Sequence, residues 1–507
     1  MRYKPSFTSQ LPKQTFLEKS TPEPFIQYAN PSETALQPLE IPPAIRFRHV
    51  YIAGGSQFGK STLLENMIVQ DIENNEGITL LDPKGDLAEA VLTRVPKRRA
   101  HQCIYIDIKD PIPINFMGWE TEEERQTLLA DVNQTFMRFS QMAAGDQWGS
   151  ILRWVIYTLL AAKDVSFLDL YYFFTDDDRK NAILDMVQKR NNDGRYDDVF
   201  HYWEKIFLKI GKPREGPILT RMATFITTPP LKKILGPSDN PLDIFDAMES
   251  QKILIVNLMG VGRENGNLVG ALLTSKIQQA AFRRQPQAKD DRVPHYFYAD
   301  EFQNFQTSDF DRILSEAGGF KLSLTLANQG LYQLDSQIKQ SVFTNVNAAR
   351  IAFRINHEDV SNWRHLLPRP ASVQNSRIRP GNMAVLRMLG EDTLADQIEN
   401  DLHPKPIEPD ILANLPPYFA FFKIGTEEGT FAPTPPPLPP PSQKQLIIAE
   451  AIRRATLEAY PPKAIPRAQS GTNRTVDNAP SQTTPKMLEL GEDGPTLLPD
   501  ETKTPDS

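Results

Sequence analysis

The chain contains little cysteine and no long apolar run. Cys103 is its single cysteine, which excludes an intrachain disulfide or a cysteine-rich zinc site and favours a buried thiol in a reducing compartment. No stretch approaches the roughly 18 apolar residues of a membrane-spanning helix. The polar N-terminal residues are not followed by the apolar run of a signal peptide. We therefore expect a soluble, cytoplasmic protein.

An excess of positive charge is also absent. Lysine and arginine number 56 against 63 aspartate and glutamate, a net charge of −7, so bulk charge does not mark a nucleic-acid binder. A channel could still collect local basic clusters. The candidates are the runs at 94–101, 282–285 and 375–382, although short runs of this kind are usually solvated faces. The seven histidines show no metal-ligand spacing.

Short apolar runs alternate with helical patterns from residue 46 onwards. Runs that are apolar on both faces, with helices between them, indicate a parallel sheet covered on both sides. The runs are RHVYIAG, ITLLDP, CIYIDI, KILIVNLMG, YFYADE, LSLTLANQ and RIAFRI, and a last strand is expected in PYFAFFKIG. We therefore predict an α/β fold with a mainly parallel sheet.

Other parts of the chain have different patterns. Residues 120–245 show helical spacing without comparable strand runs, which indicates an all-α domain inserted into the α/β domain of residues 45–119 and 246–432. Residues 1–44 are expected to form an extended arm. Residues 433–507 begin with a proline run typical of a stiff spacer and contain one helical pattern, expected to stand alone. The rest of this tail is predicted to be disordered, and the whole tail dispensable for activity.

The stretch GGSQFGKST follows a predicted strand and opens a predicted helix. Gly54 and Gly59 permit a tight loop whose backbone N–H groups can approach phosphates, and Lys60 would reach the β- and γ-phosphates. The Ser61 hydroxyl would bind Mg²⁺. A chance match in a glycine-rich turn is disfavoured by the flanking strand and helix. The predicted nucleotide-binding residues are Gly54, Gly55, Ser56, Gln57, Phe58, Gly59, Lys60, Ser61 and Thr62, of which Phe58 is unusually bulky.

Two further strands end in polar residues suited to phosphate chemistry. Asp300 ends the run HYFYAD and would hold Mg²⁺, and Glu301 would polarise the attacking water. Strands that end in Asp-Glu are common, so this pair gains weight only together with the glycine-rich loop. Gln329 lies at the tip of a neighbouring strand and would contact the γ-phosphate or the water. A simple strand-end hydrogen bond is an equally good explanation of Gln329.

The order of these motifs resembles that of TraG/TraD-type coupling ATPases of conjugation and type IV secretion, within the FtsK–HerA motor group. The resemblance spans about residues 46–425 and rests on HVYIAGGSQFGKSTLLENMIVQDI, GITLLDPKGDLAEAVL, YFYADEFQNF, ILSEAGGFKLSLTLANQGLYQL and NVNAARIAFRI. The segments DPKGDL and DEFQNF discriminate most strongly. The segment DQWGSILRWVIYTLL also looks like the helical domain of TraD-like members.

The resemblance implies a RecA-like P-loop ATPase domain, an all-α domain, a hexameric ring around DNA, and ATP and Mg²⁺ as ligands. By position, Lys60 and Ser61 match the Walker A pair and Asp300 and Glu301 the Walker B pair. Gln329 matches a sensor, and Arg354 an arginine that reaches a neighbour's nucleotide, with Arg350 close by. Asp82, Lys84 and Asp86 are expected to stabilise the site or a subunit contact.

Membrane-anchored coupling proteins begin with transmembrane helices, which this sequence lacks. A soluble mobilisation-type motor fits, with a relaxase or secretion-channel proteins as partners and attachment at the inner membrane through them. Three alternatives remain open. They are a HerA-like DNA-processing motor in repair or defence, a secretion-system assembly ATPase acting on protein, and a nucleotide-bound adaptor ring that does not hydrolyse. The Asp300-Glu301 pair disfavours the last.

Overall fold

The computed structural model describes residues 26–29, 36–139, 147–210, 216–306, 310–345, 347–367 and 409–461. The strands in these ranges are β1 (Ile26–Ala29), β2 (Leu36–Leu39), β3 (Val50–Ala53), β4 (Gly77–Asp82), β5 (Cys103–Asp107), β6 (Ile253–Asn257), β7 (His295–Ala299), β8 (Leu322–Asn328), β9 (Ala349–Ala352), β10 (Phe419–Ile424) and β11 (Thr430–Pro433).

All strands except the β1–β2 hairpin belong to one nine-stranded sheet. Its order is β11-β10-β9-β3-β8-β7-β4-β6-β5. The strands from β9 to β5 are parallel, whereas β10 and β11 run antiparallel at one edge. The predicted mainly parallel sheet is therefore confirmed, and the carboxyl ends of β3, β8, β7 and β4 meet along one edge of the sheet.

The helices are α1 (Pro43–Arg46), α2 (Lys60–Glu73), α3 (Asp86–Arg94), α4 (Glu122–Phe139), α5 (Gln147–Ala162), α6 (Asp169–Thr175), α7 (Asp177–Arg190), α8 (Asp197–His201), α9 (Phe207–Ile210), α10 (Gly216–Thr227), α11 (Pro229–Leu235), α12 (Ile244–Glu249), α13 (Arg263–Phe282), α14 (Phe310–Glu316), α15 (Ser336–Thr344), α16 (His357–Trp363) and α17 (Gln443–Ala459). Between β5 and β6 the described part of the chain is helical and contains no strand. None of the described helices combines the length and apolar character that crossing a bilayer needs.

Helices cover both faces of the sheet. Successive residues of each strand point to opposite faces and therefore pack in different layers. In β3, Val50 and Ile52 face the core formed with α2, α3 and α17. Tyr51 and Ala53 face the other core, which includes apolar residues of α4, α5 and α13. All four side chains are buried, so β3 and the loop that follows it are held firmly between two packed layers.

The C-terminal helix α17 packs against the edge strand β5. The Thr456 hydroxyl accepts a hydrogen bond from the Tyr105 backbone N–H at 3.2 Å, and Ala449 and Ile452 are buried. These three helix positions, spaced by three and four residues, form one face of α17. The expectation of an isolated helix is therefore corrected: this narrow face covers a strand edge that would otherwise be open.

The proline-rich residues 434–442 connect β11 at one edge of the sheet to α17 at the other. The connection passes α2, where the Asn66 side-chain amide donates to the Pro436 carbonyl at 3.4 Å. The capping box formed by Ser442 and Gln445 begins α17. The part of the predicted tail beyond residue 461 lies outside the described residues, as does most of the predicted N-terminal arm.

Candidate nucleotide-binding site

The loop between β3 and α2 is fixed by bonds to the two neighbouring strands. The Gly54 N–H donates to the Asn328 carbonyl at 3.2 Å, and the Gly55 N–H donates to the Arg354 carbonyl at 2.9 Å. Gly59 has a φ of +105°, in the left-handed region that favours glycine. The chain therefore turns sharply into α2, whose first backbone N–H groups have no intrahelical partner and point towards the loop.

Lys60 is the first residue of α2, and its side chain is buried beside two carboxylates. Its Nζ lies 3.1 Å from Asp300 Oδ1 and 3.5 Å from Glu301 Oε1, and only 6% of the side chain is exposed. These are ion-pair contacts, because Nζ has no partner with hydrogen-bond geometry in the described part of the chain. A desolvated ammonium group without hydrogen bonds is costly, so this position fits an anion such as a phosphate.

Several donors converge on the carboxylate of Glu301. Its Oε1 accepts from Lys84 Nζ at 2.5 Å and from Gln329 Nε2 at 3.2 Å, and its Oε2 accepts from Gln303 Nε2 at 2.7 Å. Burial alone would raise the pKa of Glu301. The charge of Lys60 and the bonds from Lys84, Gln303 and Gln329 outweigh burial and lower this pKa to about 2. Glu301 is therefore an anion at neutral pH.

The backbone at Glu301 is unusual for this residue type. Its φ is +49°, in the left-handed region, and its N–H donates to Asp300 Oδ1 at 3.0 Å. A left-handed residue other than glycine costs of order 1–3 kcal/mol and persists only where its surroundings enforce it. Here the turn directs the Glu301 side chain back along the sheet edge towards Lys60.

Sheet order explains why these residues meet. Asp300 and Glu301 follow β7, Gln329 follows β8, Lys60 follows β3 and Lys84 follows β4. These four strands are consecutive neighbours in the sheet. The carboxyl edge of such a sheet is where side chains from different strands converge on a ligand.

Asp82 and Lys84 have different roles at the end of β4. Asp82 is fully buried, and its two oxygens accept from the Lys84 and Ala88 N–H groups, each at 2.9 Å. Burial raises the pKa of Asp82. Asp82 thus shapes the turn, while Asp86 lies exposed at the start of α3. The Lys84 side chain instead contacts Glu301, a contact that the sequence did not indicate, because neither the sheet order nor the turn of Glu301 can be read from motif spacing.

The structure does not bring Arg354 to the acidic pair. Its guanidinium lies over the Phe58 ring, 4.6 Å from the centroid, and its Nε donates to the Leu415 carbonyl at 2.9 Å. Phe58 therefore provides a platform for an arginine of the same chain, which gives its bulk a structural reason. Arg350 is 1% exposed and donates to the Val342 carbonyl at 3.0 Å, so it is fixed at the end of α15.

The arginines of the basic runs that the structure describes contact other groups of the same chain. Arg98 pairs with a carboxylate of α2, and Arg99 is buried and donates to main-chain carbonyls. Arg283 and Arg284 pair with carboxylates of α4 and α12 respectively, and Arg284 is fully buried. The run at 375–382 lies outside the described residues. Of the three candidate clusters, the two that are described thus use arginines for internal contacts.

The site offers few protein ligands for a metal ion. In the described ranges no group of three or more His, Cys, Asp or Glu side chains could hold one. Mg²⁺ commonly uses one or two protein oxygens and takes the rest from water and phosphate. Two residues suit that pattern: Asp300, which lies beside Lys60, and the exposed Ser61, which follows Lys60 in the sequence.

The glycine-rich loop, the parallel sheet and the acidic strand end together define a P-loop nucleotide-binding fold. No protein-family model and no curated protein matches the chain. The plasmid coupling protein TrwB in complex with ADP and Mg²⁺ matches with a TM-score of 0.51 and 13% identity, over 80% of this chain and 89% of that one.

The conjugative coupling protein TrwBdeltaN70, in a trigonal form with sulphate, matches with a TM-score of 0.50 and 13% identity, over 79% of this chain and 88% of that one. The resemblance to coupling proteins is therefore confirmed at the level of the fold.

Proposed function

We propose that this protein is an ATP-hydrolysing motor of the conjugative coupling type, which moves DNA through a ring of subunits. The observation that carries the proposal is the convergence of Lys60, Asp300, Glu301 and Gln329 beside the glycine-rich loop. The fold likeness to a coupling protein whose structure holds ADP and Mg²⁺ supports the same ligands here.

ATP would bind with its phosphates against the loop and the first turn of α2. Lys60 would exchange its carboxylate partners for the β- and γ-phosphates, since it has ion-pair contacts but no hydrogen bond there. Ser61 and Asp300 would hold Mg²⁺, which supplies positive charge to the phosphate oxygens. The loop residues Gly54 to Thr62 would provide backbone N–H groups to the phosphates.

Hydrolysis would follow when a water molecule attacks the γ-phosphorus. A bond forms between the water oxygen and phosphorus, and the bond from phosphorus to the bridging oxygen of ADP breaks. Glu301 accepts a proton from the water and passes it on to phosphate or solvent. Gln329, which already bonds Glu301 at 3.2 Å, orients the water or contacts the γ-phosphate.

For the assembly we propose a hexameric ring, with residues 120–245 as an all-α domain and residues 45–119 and 246–432 as the motor domain. In this proposal Arg354 serves the nucleotide of a neighbouring subunit. It would have to leave Phe58 and the Leu415 carbonyl to do so. Partner contact at the inner membrane would come through a relaxase or secretion-channel proteins.

The test is ATPase activity with and without single- and double-stranded DNA, with the subunit mass measured alongside. We expect activity that DNA stimulates, rings at working concentrations, and no hydrolysis in a Lys60→Ala variant that still folds. Hydrolysis that DNA leaves unchanged would favour the protein-moving alternative. ATP binding without hydrolysis would favour the adaptor, and full activity of Lys60→Ala would contradict the phosphate-loop assignment.

A further inference from the structure

Lys84 shares one carboxylate oxygen with Lys60. Lys84 Nζ lies 2.5 Å and Lys60 Nζ 3.5 Å from the same Glu301 Oε1, so the two nitrogens are no more than about 6 Å apart. Their exposure differs, because 6% of the Lys60 side chain but 50% of the Lys84 side chain is accessible to solvent. A second, more exposed ammonium group therefore lies next to the group assigned to the phosphates.

The hydrogen bonds to Glu301 occupy one of its oxygens fully and lower its basicity. Oε1 is occupied by Lys84 and Gln329, and Oε2 by Gln303. A water molecule that is to lose a proton needs a free acceptor position on this carboxylate. Oε2 keeps one such position, and the loss of a donor from Oε1 would open a second one and make the carboxylate more basic.

Lys84 is the donor best able to leave. Gln303 lies two residues from Glu301 in the same tight turn and moves with it. Lys84 has a flexible four-carbon side chain, half of it in solvent, while its backbone N–H stays fixed to Asp82 at 2.9 Å. Its ammonium group can therefore change partner without disturbing the turn.

We propose that Lys84 is a second phosphate-facing cation, which exchanges Glu301 for the γ-phosphate when ATP binds. The inference rests on the proposed function, since it needs ATP at this site. The transfer does two things at once: it frees one acceptor position on Glu301 Oε1 for the attacking water, and it brings positive charge to the oxygens on which negative charge spreads during phosphoryl transfer.

The contact made by Arg354 strengthens this assignment. Its guanidinium is bound to Phe58 and to the Leu415 carbonyl of its own chain, and Arg350 is buried. Lys84 is already within reach of the acidic pair and needs no neighbouring subunit. It therefore adds positive charge to the transition state within one chain, besides the charge proposed for Arg354 of a neighbouring subunit.

The first test compares the binding of ADP with that of the non-hydrolysable β,γ-imido analogue of ATP. Lys84→Met should weaken binding of the analogue about 10- to 100-fold, the value of a lost charged hydrogen bond, and leave ADP binding unchanged. Lys109→Met is the matched control, because Lys109 also follows a strand-end aspartate but has no contact with Glu301 among the bonds and ion pairs of the described residues. Equal losses for both nucleotides, or none, would overturn the proposal.

The second test measures hydrolysis in the same variants. Lys84→Met should lower kcat at least 100-fold with a smaller change in KM, and Lys84→Arg should restore part of kcat because it returns the charge. A kcat that rises would mean that Lys84 only blocks Glu301, and an unchanged kcat would remove it from the reaction. If wild type and Lys109→Met neither bind nor hydrolyse ATP, the proposed function fails instead.

Discussion

The ends of β4 and β5 carry the same short pattern and form the same turn. Asp82-Pro83-Lys84 begins at the last residue of β4 and Asp107-Ile108-Lys109 at the last residue of β5. In each, the aspartate Oδ1 accepts the lysine N–H at 2.9 Å. Their surroundings differ, because β4 lies next to β7 in the sheet and β5 forms the outer edge. Only Lys84 reaches Glu301. The position of a strand in the sheet therefore decides whether the lysine of an Asp-x-Lys turn reaches the candidate site.

The largest expected difference between the two strand ends is in hydrolysis, when the carboxylate that Lys84 contacts is replaced. Glu301→Gln is nearly isosteric but cannot accept a proton, so ATP should still bind while hydrolysis falls at least 100-fold. Nucleotide binding and single-turnover hydrolysis measure the two effects separately. Asp107→Asn, at the end of β5, should hydrolyse at the wild-type rate. Unchanged turnover in Glu301→Gln would assign the base to another residue.

At the amino-terminal ends of the strands, two buried histidines should make the stability of the fold sensitive to acid. Burial lowers the pKa of His295, the first residue of β7, to about 3 and that of His49, just before β3, to about 4. Because their unfolded pKa is about 6.5, the unfolded chain binds more protons below that pH. Stability should therefore be unaffected above pH 7 and should fall as pH drops from about 6.5 to 4, by up to about 1.4 kcal/mol per pH unit for each histidine.

Urea denaturation between pH 7.5 and 5 checks this slope. His295→Gln should reduce the acid sensitivity, and the same change at the exposed His101 should not. An unaltered slope in His295→Gln would show that this ring takes up its proton over the same pH range in the folded and unfolded chain.

Replacement of the two strand-end aspartates should lower the free energy of unfolding by different amounts. Asp82→Ala leaves the Lys84 and Ala88 N–H groups without their acceptor, the first in a partly buried turn and the second in a buried position, which should cost about 1–3 kcal/mol. Asp107 is partly exposed, so water can replace its carboxylate, and Asp107→Ala should cost under about 1 kcal/mol. Denaturant midpoints of the two variants decide the matter. Equal losses would contradict the assigned difference in burial.

The smallest expected effect concerns the outer side of β5. Thr456→Val keeps the shape of the side chain but removes the acceptor of the Tyr105 N–H, which should cost about 1 kcal/mol. Leu457→Ala, at an exposed position of the same helix, is the control and should cost less. A truncation before α17 that leaves thermal stability unchanged would restore the original view of a dispensable tail.

Much of the site could be predicted from the sequence, because parallel strands place their carboxyl ends together. Lys60, Asp300, Glu301 and Gln329 were expected at one edge for this reason, and the structure brings them together there. Their chemical roles remain proposals. The contact of Lys84 with Glu301 could not be predicted, since it depends on β4 being the neighbour of β7.

Other features were hidden because their partners are distant in sequence or are main-chain atoms. Arg99 belongs to a basic run that suggests a solvated face, and Arg350 lies close to the predicted trans-acting Arg354. Both donate instead to backbone carbonyls that no charge pattern reveals. The buried face of α17 contains Ala449, Ile452 and Thr456. This face is too weakly apolar for the sequence to predict that α17 packs against β5.

The proline-rich connection to α17 has a mechanical consequence. It joins β11 and α17, so the two edges of the sheet, farthest apart in space, are linked by a short piece of chain. Prolines in an extended run cannot shorten by coiling into an α-helix, and such a run keeps a rise of about 3.1 Å per residue. The connection therefore keeps a nearly constant length. The helix α17 is thus tied to both edge strands of the sheet, to β11 by this connection and to β5 by its own contacts.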